Sequence, residues 1–142
     1  MQKIKTAKVY FDENKYQEVI AICRNILNQD KESIEALKLI GKSMLRIKNI
    51  NDAMLYFNKV LKINPNDHES YKELGNLYKS LGKTKNAEKY YKQSILIKSD
   101  YAPALTNLGS IYMLNNEKEE AKILLEKAIN FNPRLAPAWS NL

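Results

Sequence analysis

Cysteine, histidine, tryptophan, glycine and proline are all scarce in this chain of 142 residues. The single cysteine, Cys23, excludes an internal disulfide and any zinc site built from several thiolates. The single histidine, His68, excludes a mechanism that needs two imidazoles. Four glycines and four prolines leave little chain for long irregular loops. These shortages favour regular secondary structure and exclude several classes of catalytic or metal site.

Long apolar stretches are also missing from the chain. No run approaches the ~18 apolar residues that a membrane-spanning helix needs, and the first five residues lack the apolar segment of a secretory signal. Together with the single cysteine, this predicts a reducing, cytoplasmic location and leaves a periplasmic one open. No cofactor is expected, because neither a glycine-rich phosphate loop nor a metal-ligand spacing occurs.

Apolar and basic residues are plentiful. Apolar residues make up 44% of the chain, which is enough for a continuous core, and the formal net charge is +7. A basic protein attracts acidic partners over long distances. The charge therefore predicts acidic partners as a class without identifying one.

Glycine, tyrosine and alanine recur with a period of 34 residues. The recurring residues are Gly41, Gly75 and Gly109, then Tyr78 and Tyr112, then Ala53, Ala87 and Ala121. Several independent positions with one period indicate tandem repeats and a solenoid fold. We expect a single domain over 1–142, with repeats at about 1–33, 34–67, 68–101 and 102–135 and a partial repeat or cap at 136–142.

Each repeat carries two apolar stripes with helical spacing. In the second repeat Leu37, Ile40 and Met44 form one stripe, and Phe57 and Leu61 belong to the next. The pattern predicts two helices per repeat joined by a short turn.

The turn between these helices is expected to contain a residue in the left-handed conformation. Asn14, Gly82 and Asn116 stand at this position and reach that conformation at little cost. The second repeat has Lys48 there, followed by Asn49, which leaves open whether its turn differs.

Proline and glycine mark helix ends and helix contacts. Pro65 and Pro133 are expected to end second helices, and Pro103 and Pro137 to begin new ones. A glycine inside a helix costs about 1 kcal/mol relative to alanine. The recurring glycines therefore predict a close approach of two helices, with the recurring alanines on the facing surface.

The segments Tyr71–Tyr78 and Leu105–Tyr112 follow the pattern W-x2-L-G-x2-Y. On these residues the chain resembles the tetratricopeptide repeat family over its whole length. The resemblance implies an all-α, right-handed superhelical solenoid of antiparallel helix pairs, with four repeats plus a partial fifth. The first repeat departs from the pattern, since Ala7 replaces the glycine. The segment 136–142 also resembles repeats of O-linked N-acetylglucosamine transferases and related bacterial proteins.

In this family the first helix of each repeat lines the concave groove, so the resemblance places the binding site there. The basic residues expected on that surface are Lys5, Lys8, Lys38, Lys42, Arg46, Lys72 and Lys79. The acidic residues expected on it are Asp12, Glu35, Glu69 and Glu73. Like charges four residues apart repel one another, and an anionic ligand would relieve that repulsion. A solvated face of a lysine-rich protein explains the same residues, and this alternative stays open.

Asparagines on the first helices offer a second type of contact. Family members that clamp a peptide C-terminal carboxylate use Lys and Asn on one first helix and Asn on the next, which Lys72, Asn76 and Asn107 match. The two basic residues expected on the following helix are replaced by Pro137 and Asn141. Asn107 and Asn141 also match an asparagine ladder that holds a peptide backbone, while Leu39 and Glu73 occupy its earlier positions.

Catalytic chemistry is not expected from the remaining residues. Cys23 occupies an aromatic core position and is expected to be a buried, unreactive thiol. His68 is expected to be an exposed polar residue near a helix start. Direct binding of nucleic acid is disfavoured, because basic residues are also scattered over the second helices.

The sequence therefore predicts a non-enzymatic scaffold whose basic groove binds an extended acidic segment or C-terminal tail of a protein. One alternative is the substrate-recruiting region of a longer enzyme, glycosyltransferase-like or sulfotransferase-like. Another is self-assembly into a homo-oligomer through the terminal repeats.

Overall fold

The computed structural model describes residues 2–135, and all regular structure in this range is helical. The eight helices are α1 (Gln2–Asp12), α2 (Tyr16–Gln29), α3 (Ile34–Arg46), α4 (Ile50–Ile63), α5 (His68–Ser80), α6 (Thr84–Ile97), α7 (Ala102–Leu114) and α8 (Lys118–Phe131). A short 3-10 turn, Pro133–Leu135, follows. The all-α fold class is confirmed. No helix in the described part of the chain is long and apolar enough to cross a membrane.

The chain divides into two compact units, residues 1–66 and 67–142. Unit 1 contains α1 to α4, and unit 2 contains α5 to α8. Within each unit the odd-numbered helix packs against the even-numbered helix that follows it, and α2 packs against α3 as α6 does against α7. Each unit is therefore a stack of two helix pairs.

A core of apolar side chains forms inside each helix pair where the glycines stand. A Cβ atom added to Gly41 would lie 2.9 Å from the Phe57 ring, and one added to Gly75 would lie 2.5 Å from the Tyr91 ring. The predicted close approach is confirmed. The nearest atoms opposite Gly41 and Gly75 belong to large aromatic residues, while the Ala121 carbonyl lies 3.6 Å from a Cβ added at Gly109, as the recurring alanines predict. The large side chain fills the space that the missing Cβ leaves.

All four turns within the helix pairs have the same backbone shape. Asn14, Lys48 and Asn116 have φ values of 63°, 64° and 63°, and Gly82 has 75°. The next residue donates its N–H to a carbonyl five positions earlier, as from Asn49 to Met44 at 2.8 Å. The open question about the second repeat is resolved, because Lys48 itself adopts the left-handed conformation. A lysine bears a steric cost there that glycine avoids.

Helix ends follow the remaining sequence signals. The helix α4 ends at Ile63 before Pro65, α8 ends at Phe131 before Pro133, and α7 has Pro103 in its first turn. At the start of α5 the Asp67 carboxylate accepts the Ser70 N–H at 3.0 Å, which satisfies an otherwise unpaired donor. These signals position the first helices on which the candidate site lies.

Candidate binding face of the first helices

The odd-numbered helices are neighbours within each unit. In unit 1, α1 contacts α3, and the Lys8 ammonium lies 3.5 Å from the Glu35 carboxylate. In unit 2, α5 contacts α7, and Asn107 Nδ2 donates to Asn76 Oδ1 at 2.8 Å. We call the surfaces of α1 with α3 and of α5 with α7 the first-helix faces of units 1 and 2. Side chains on adjacent repeats can therefore act together on each face.

The first-helix face of unit 1 carries lysines that differ in burial. Lys5 and Lys8 are exposed on α1, whereas Lys38 and Lys42 on α3 are half-buried. The two α3 lysines are one turn apart, and Leu39 beside them is only 8% exposed. Partial burial of the aliphatic stems is favourable for lysine, which keeps its ammonium group near water.

Arg46 lies at the last residue of α3 and contacts the end of the α1–α2 pair. Its guanidinium carbon is 5.4 Å from the centre of the Phe11 ring, and Nη1 donates to the Tyr16 hydroxyl at 3.5 Å. Arg46 shares the four-residue spacing of Lys38 and Lys42, and its guanidinium group has contacts within unit 1.

A mostly buried ion pair lies on the first-helix face of unit 2. The Lys72 ammonium donates to Glu73 Oε1, and their side chains are 16% and 10% exposed. Asn76 Nδ2 donates to the same Glu73 oxygen at 3.4 Å. Two donors of α5 therefore converge on one carboxylate oxygen of the same helix.

The Asn76 amide extends this network to two further helices. Its Oδ1 accepts the Tyr91 hydroxyl of α6 at 2.5 Å and the Asn107 Nδ2 group of α7 at 2.8 Å. Burial raises the pKa of Tyr91, which keeps its hydroxyl protonated and able to donate. Both ends of the Asn76 amide are therefore used within unit 2.

The rest of this face is polar and half-buried. Lys79, Thr106 and Ser110 lie there, and Ser110 Oγ donates to the Thr106 carbonyl at 3.1 Å. Among the described residues, the buried Thr106 Oγ1 has no hydrogen-bond partner. This face therefore offers polar groups beside Asn107 in a partly water-excluded position.

The predicted site residues are thus divided between two faces. Unit 1 brings together Lys5, Lys8, Lys38, Lys42 and Arg46 on α1 and α3, and unit 2 brings together Lys72, Asn76, Lys79 and Asn107 on α5 and α7. Asn141, with Pro137, lies outside the described residues.

Sequence reasoning missed the roles of Glu73 and Tyr91. The sequence alone presents Glu73 as one of four acidic residues, although it stands where the neighbouring repeats have Leu39 and Asn107. The available signal was that Glu73 is charged, whereas the equivalent position one repeat earlier holds the apolar Leu39. No feature of the sequence indicated the hydrogen bond of the Tyr91 hydroxyl, because an aromatic residue is expected at this core position in any case.

Cys23 and His68, the two residues considered for catalysis, both pack against other side chains of the fold. Cys23 is buried, and burial raises its pKa to about 11, so the thiol is an unreactive core residue as expected. His68 is half-buried rather than exposed, because its ring lies edge-on against Tyr101 with the centroids 4.6 Å apart.

Solved structures with the same fold cover nearly the whole chain. A MamA crystal structure has a TM-score of 0.81 at 24% identity, covering 95% of this chain and 79% of that one. A thermophilic TPR protein of Thermus thermophilus has a TM-score of 0.81 at 18% identity, covering 93% and 74%. These similarities show the solenoid fold class.

Curated relatives match part of the chain. Superkiller protein 3 of Schizosaccharomyces pombe is 26% identical over 101 residues, which is 66% of this chain. The UDP-N-acetylglucosamine–peptide N-acetylglucosaminyltransferase of Caenorhabditis elegans is 29% identical over 77 residues, which is 54% of this chain. Each match covers 7% of the relative's own length.

Family profiles described as tetratricopeptide repeat match residues 10–76, 68–101 and 102–135. These ranges contain seven of the eight helices in full. Such repeats generally mediate protein–protein interactions and are generally not catalytic. The fold, the helix-pair contacts and the profiles agree, and the chain belongs to the tetratricopeptide repeat family.

Proposed function

We propose that this chain is a non-enzymatic scaffold that binds an extended, acidic protein segment along its first helices. The supporting observation is a difference in lysine burial. Lys38 and Lys42 on α3 and Lys79 on α5 are half-buried, whereas Lys85, Lys89 and Lys92 on α6 are exposed. A half-buried stem limits where the ammonium group can lie, so less side-chain freedom is lost when it pairs with a carboxylate.

The two units offer contacts of different kinds. In unit 1 the α3 lysines attract acidic side chains. In unit 2 Lys79 attracts acidic side chains, and the region of Asn76 and Asn107 contacts either peptide backbone or a terminal carboxylate. The net charge of +7 adds long-range attraction. Binding of this kind weakens as salt rises. The use of a single cysteine fits a cytoplasmic setting.

A matched pair of charge reversals tests this proposal. A peptide is first selected from a random displayed pool by the wild-type chain, and its affinity is then measured by calorimetry. The double variant Lys38→Glu/Lys42→Glu should bind at least about tenfold more weakly, an effect of about 1.4 kcal/mol. The double variant Lys85→Glu/Lys89→Glu makes the same charge change at the same spacing on α6 and should lose less than about twofold. Equal losses in both variants would overturn the groove proposal.

A second candidate function is recruitment of substrates for a longer enzyme. The similarity to a Caenorhabditis elegans N-acetylglucosaminyltransferase over 77 residues favours it. This function would use the same first-helix faces. It predicts that peptides selected by the chain become better substrates when the chain is fused to such a catalytic domain.

A third candidate is a homo-oligomer formed through the terminal repeats. It is favoured by Leu114 and Phe131 in the last helix pair, which are 69% and 51% exposed. A second copy packed against this helix pair would cover these side chains. Light scattering over a concentration series tests it, and a constant monomer mass would reject it.

A further inference from the structure

The acidic residue at the centre of the unit 2 face decides what that face can bind. Glu73 is 7% exposed, and one of its oxygens accepts from both Lys72 and Asn76. Its carboxylate is therefore held in place by two donors of its own helix. An ammonium and an amide N–H that converge on one oxygen form an anion-binding arrangement.

We infer that Glu73 is an internal anion that fills this arrangement, so that the part of the unit 2 face around Lys72, Asn76 and Asn107 rejects carboxylates and accepts neutral peptide backbone. The inference rests on the proposed function and narrows it, since the proposal left open whether Asn76 and Asn107 contact backbone or a terminal carboxylate. It assigns Glu73 as a specificity-determining residue.

Electrostatic repulsion by Glu73 would keep a ligand carboxylate away from Lys72 and Asn76. A ligand carboxylate that reached Lys72 and Asn76 would share their donors with the Glu73 carboxylate. Two carboxylates in one poorly hydrated site repel strongly, and one of them must gain a proton or leave. Because Glu73 is covalently part of α5, the ligand is the one excluded.

The hydrogen bonds that remain suit an amide ligand. Both ends of the Asn76 amide are used, by Glu73 on one side and by Tyr91 and Asn107 on the other. The bond to Asn76 uses one N–H of Asn107, whose amide has a second N–H and a carbonyl oxygen besides. A donor next to an acceptor matches the N–H and C=O groups of an extended peptide.

The chain itself supplies matched substitutions. Leu39, Glu73 and Asn107 occupy the same position in successive repeats, 34 residues apart. Glu73→Gln keeps the shape and removes the charge, and Glu73→Asn introduces the residue found one repeat later. Either change should leave Lys72 and Asn76 available to an external anion.

The test uses sodium acetate as a minimal carboxylate, with total ionic strength held constant by sodium chloride. The side-chain amide signals of Asn76 and Asn107 are followed by ¹⁵N NMR in the wild-type chain, in Glu73→Gln and in Lys72→Gln/Glu73→Gln. We expect Glu73→Gln to show a saturable acetate response at these amides. Any acetate binding in the other two proteins should be at least about tenfold weaker. A residue with a merely structural role would change the melting temperature without creating an acetate site.

Two results would overturn the inference. One is acetate binding at these amides in the wild-type chain as tight as in Glu73→Gln, and the other is no saturable response in either Glu73→Gln or Glu73→Asn. Glu73→Asn provides the second variant if Glu73→Gln does not give a folded amide spectrum.

A peptide arm separates this inference from the proposed function. The selected peptide is compared with a C-terminal carboxylate and with a C-terminal amide, and Glu73→Gln should shift the preference toward the carboxylate at least about fivefold. An unchanged preference contradicts the inference. If no peptide is selected by the wild-type chain, the proposed function fails, while the acetate titration still decides the role of Glu73.

Discussion

The helices α3 and α5 occupy equivalent places in their repeats but differ in the chemistry of their exposed sides. Leu39 on α3 is an apolar residue beside two half-buried lysines, whereas Glu73 at the same position of α5 pairs with Lys72. The glycine contacts and the turns are alike in both units. The 34-residue pattern thus determines the backbone and the core, while single residues on the first-helix faces determine what each face can bind.

The glycine contacts test how alike the two units are, and the largest effect is expected there. Gly75→Ala should lower the free energy of unfolding by about 3 kcal/mol, because the new Cβ would lie 2.5 Å from a Tyr91 ring that is held by Asn76. Gly41→Ala should cost less, since the Phe57 ring is 2.9 Å away. Urea unfolding monitored by circular dichroism measures both.

Gly109→Ala serves as the aliphatic control. Its nearest contacts are Cδ2 and Cγ of Leu125 at 2.8 and 2.9 Å, so an aliphatic side chain stands where the other two glycines face an aromatic ring. The decrease in the free energy of unfolding should be the smallest of the three, and it is partly offset by the better helix propensity of alanine. A loss in Gly109→Ala equal to that in Gly75→Ala would show that ring rigidity is not the cause.

The ion pair on α5 is the feature that most distinguishes the two faces. Lys72→Met should lower the free energy of unfolding by about 2 kcal/mol, because it leaves the Glu73 carboxylate buried without its cation. Glu73→Leu, which copies the residue on α3, should cost less than Lys72→Met, because the long Lys72 stem can carry its ammonium group to water. The double variant Lys72→Met/Glu73→Leu should cost less than about 1 kcal/mol, since a buried ion pair can often be replaced by apolar residues. Thermal unfolding of both variants and their double variant gives the coupling free energy. Independent, additive effects would be evidence against a functional pairing of Lys72 with Glu73.

The turns differ between the units in one residue. Lys48→Gly should raise the free energy of unfolding by about 1 kcal/mol, because it relieves a lysine at φ 64°. Gly82→Lys, the reverse change in unit 2, should lower it by a similar amount, although nothing lies within 4 Å of a Cβ added at Gly82 to clash. Denaturant midpoints report both effects. Opposite signs are required, and stabilisation by Gly82→Lys would refute the steric account.

The smallest effect concerns a second ion pair of unit 2, away from the first-helix face. The Lys92 ammonium, 2.8 Å from the Glu88 carboxylate, lowers the pKa of Glu88, which also accepts the Tyr112 hydroxyl at 3.2 Å. A carboxylate whose pKa is lower in the folded than in the unfolded state stabilises the fold at pH values above its unfolded-state pKa. This contribution is lost as the pH falls through its folded-state pKa. The stability difference between wild type and Glu88→Gln should therefore be below about 1 kcal/mol at about pH 6, because the pair is solvated. Melting curves taken at successively lower pH should show the difference shrink, and a difference that grows with acidification would have the wrong sign.

Most of the backbone could be predicted from the sequence, because local signals determine it. The left-handed turns at Asn14, Gly82 and Asn116 and the helix end before Pro65 follow from the conformational preferences of single residues. The face chemistry was less accessible. The bonds that join Asn76 to Tyr91 and Asn107 depend on the angles between three helices, which a repeat pattern does not contain.

The central claim is that ligands bind on the first helices, and a footprint of the selected peptide tests it most directly. Backbone amide shifts of the ¹⁵N-labelled chain would be compared with and without the peptide. The account predicts that the largest changes lie on the first-helix face of unit 1, of unit 2 or of both, and that the exposed residues of α4, α6 and α8 change little. A footprint centred on α6 or α8 would contradict it.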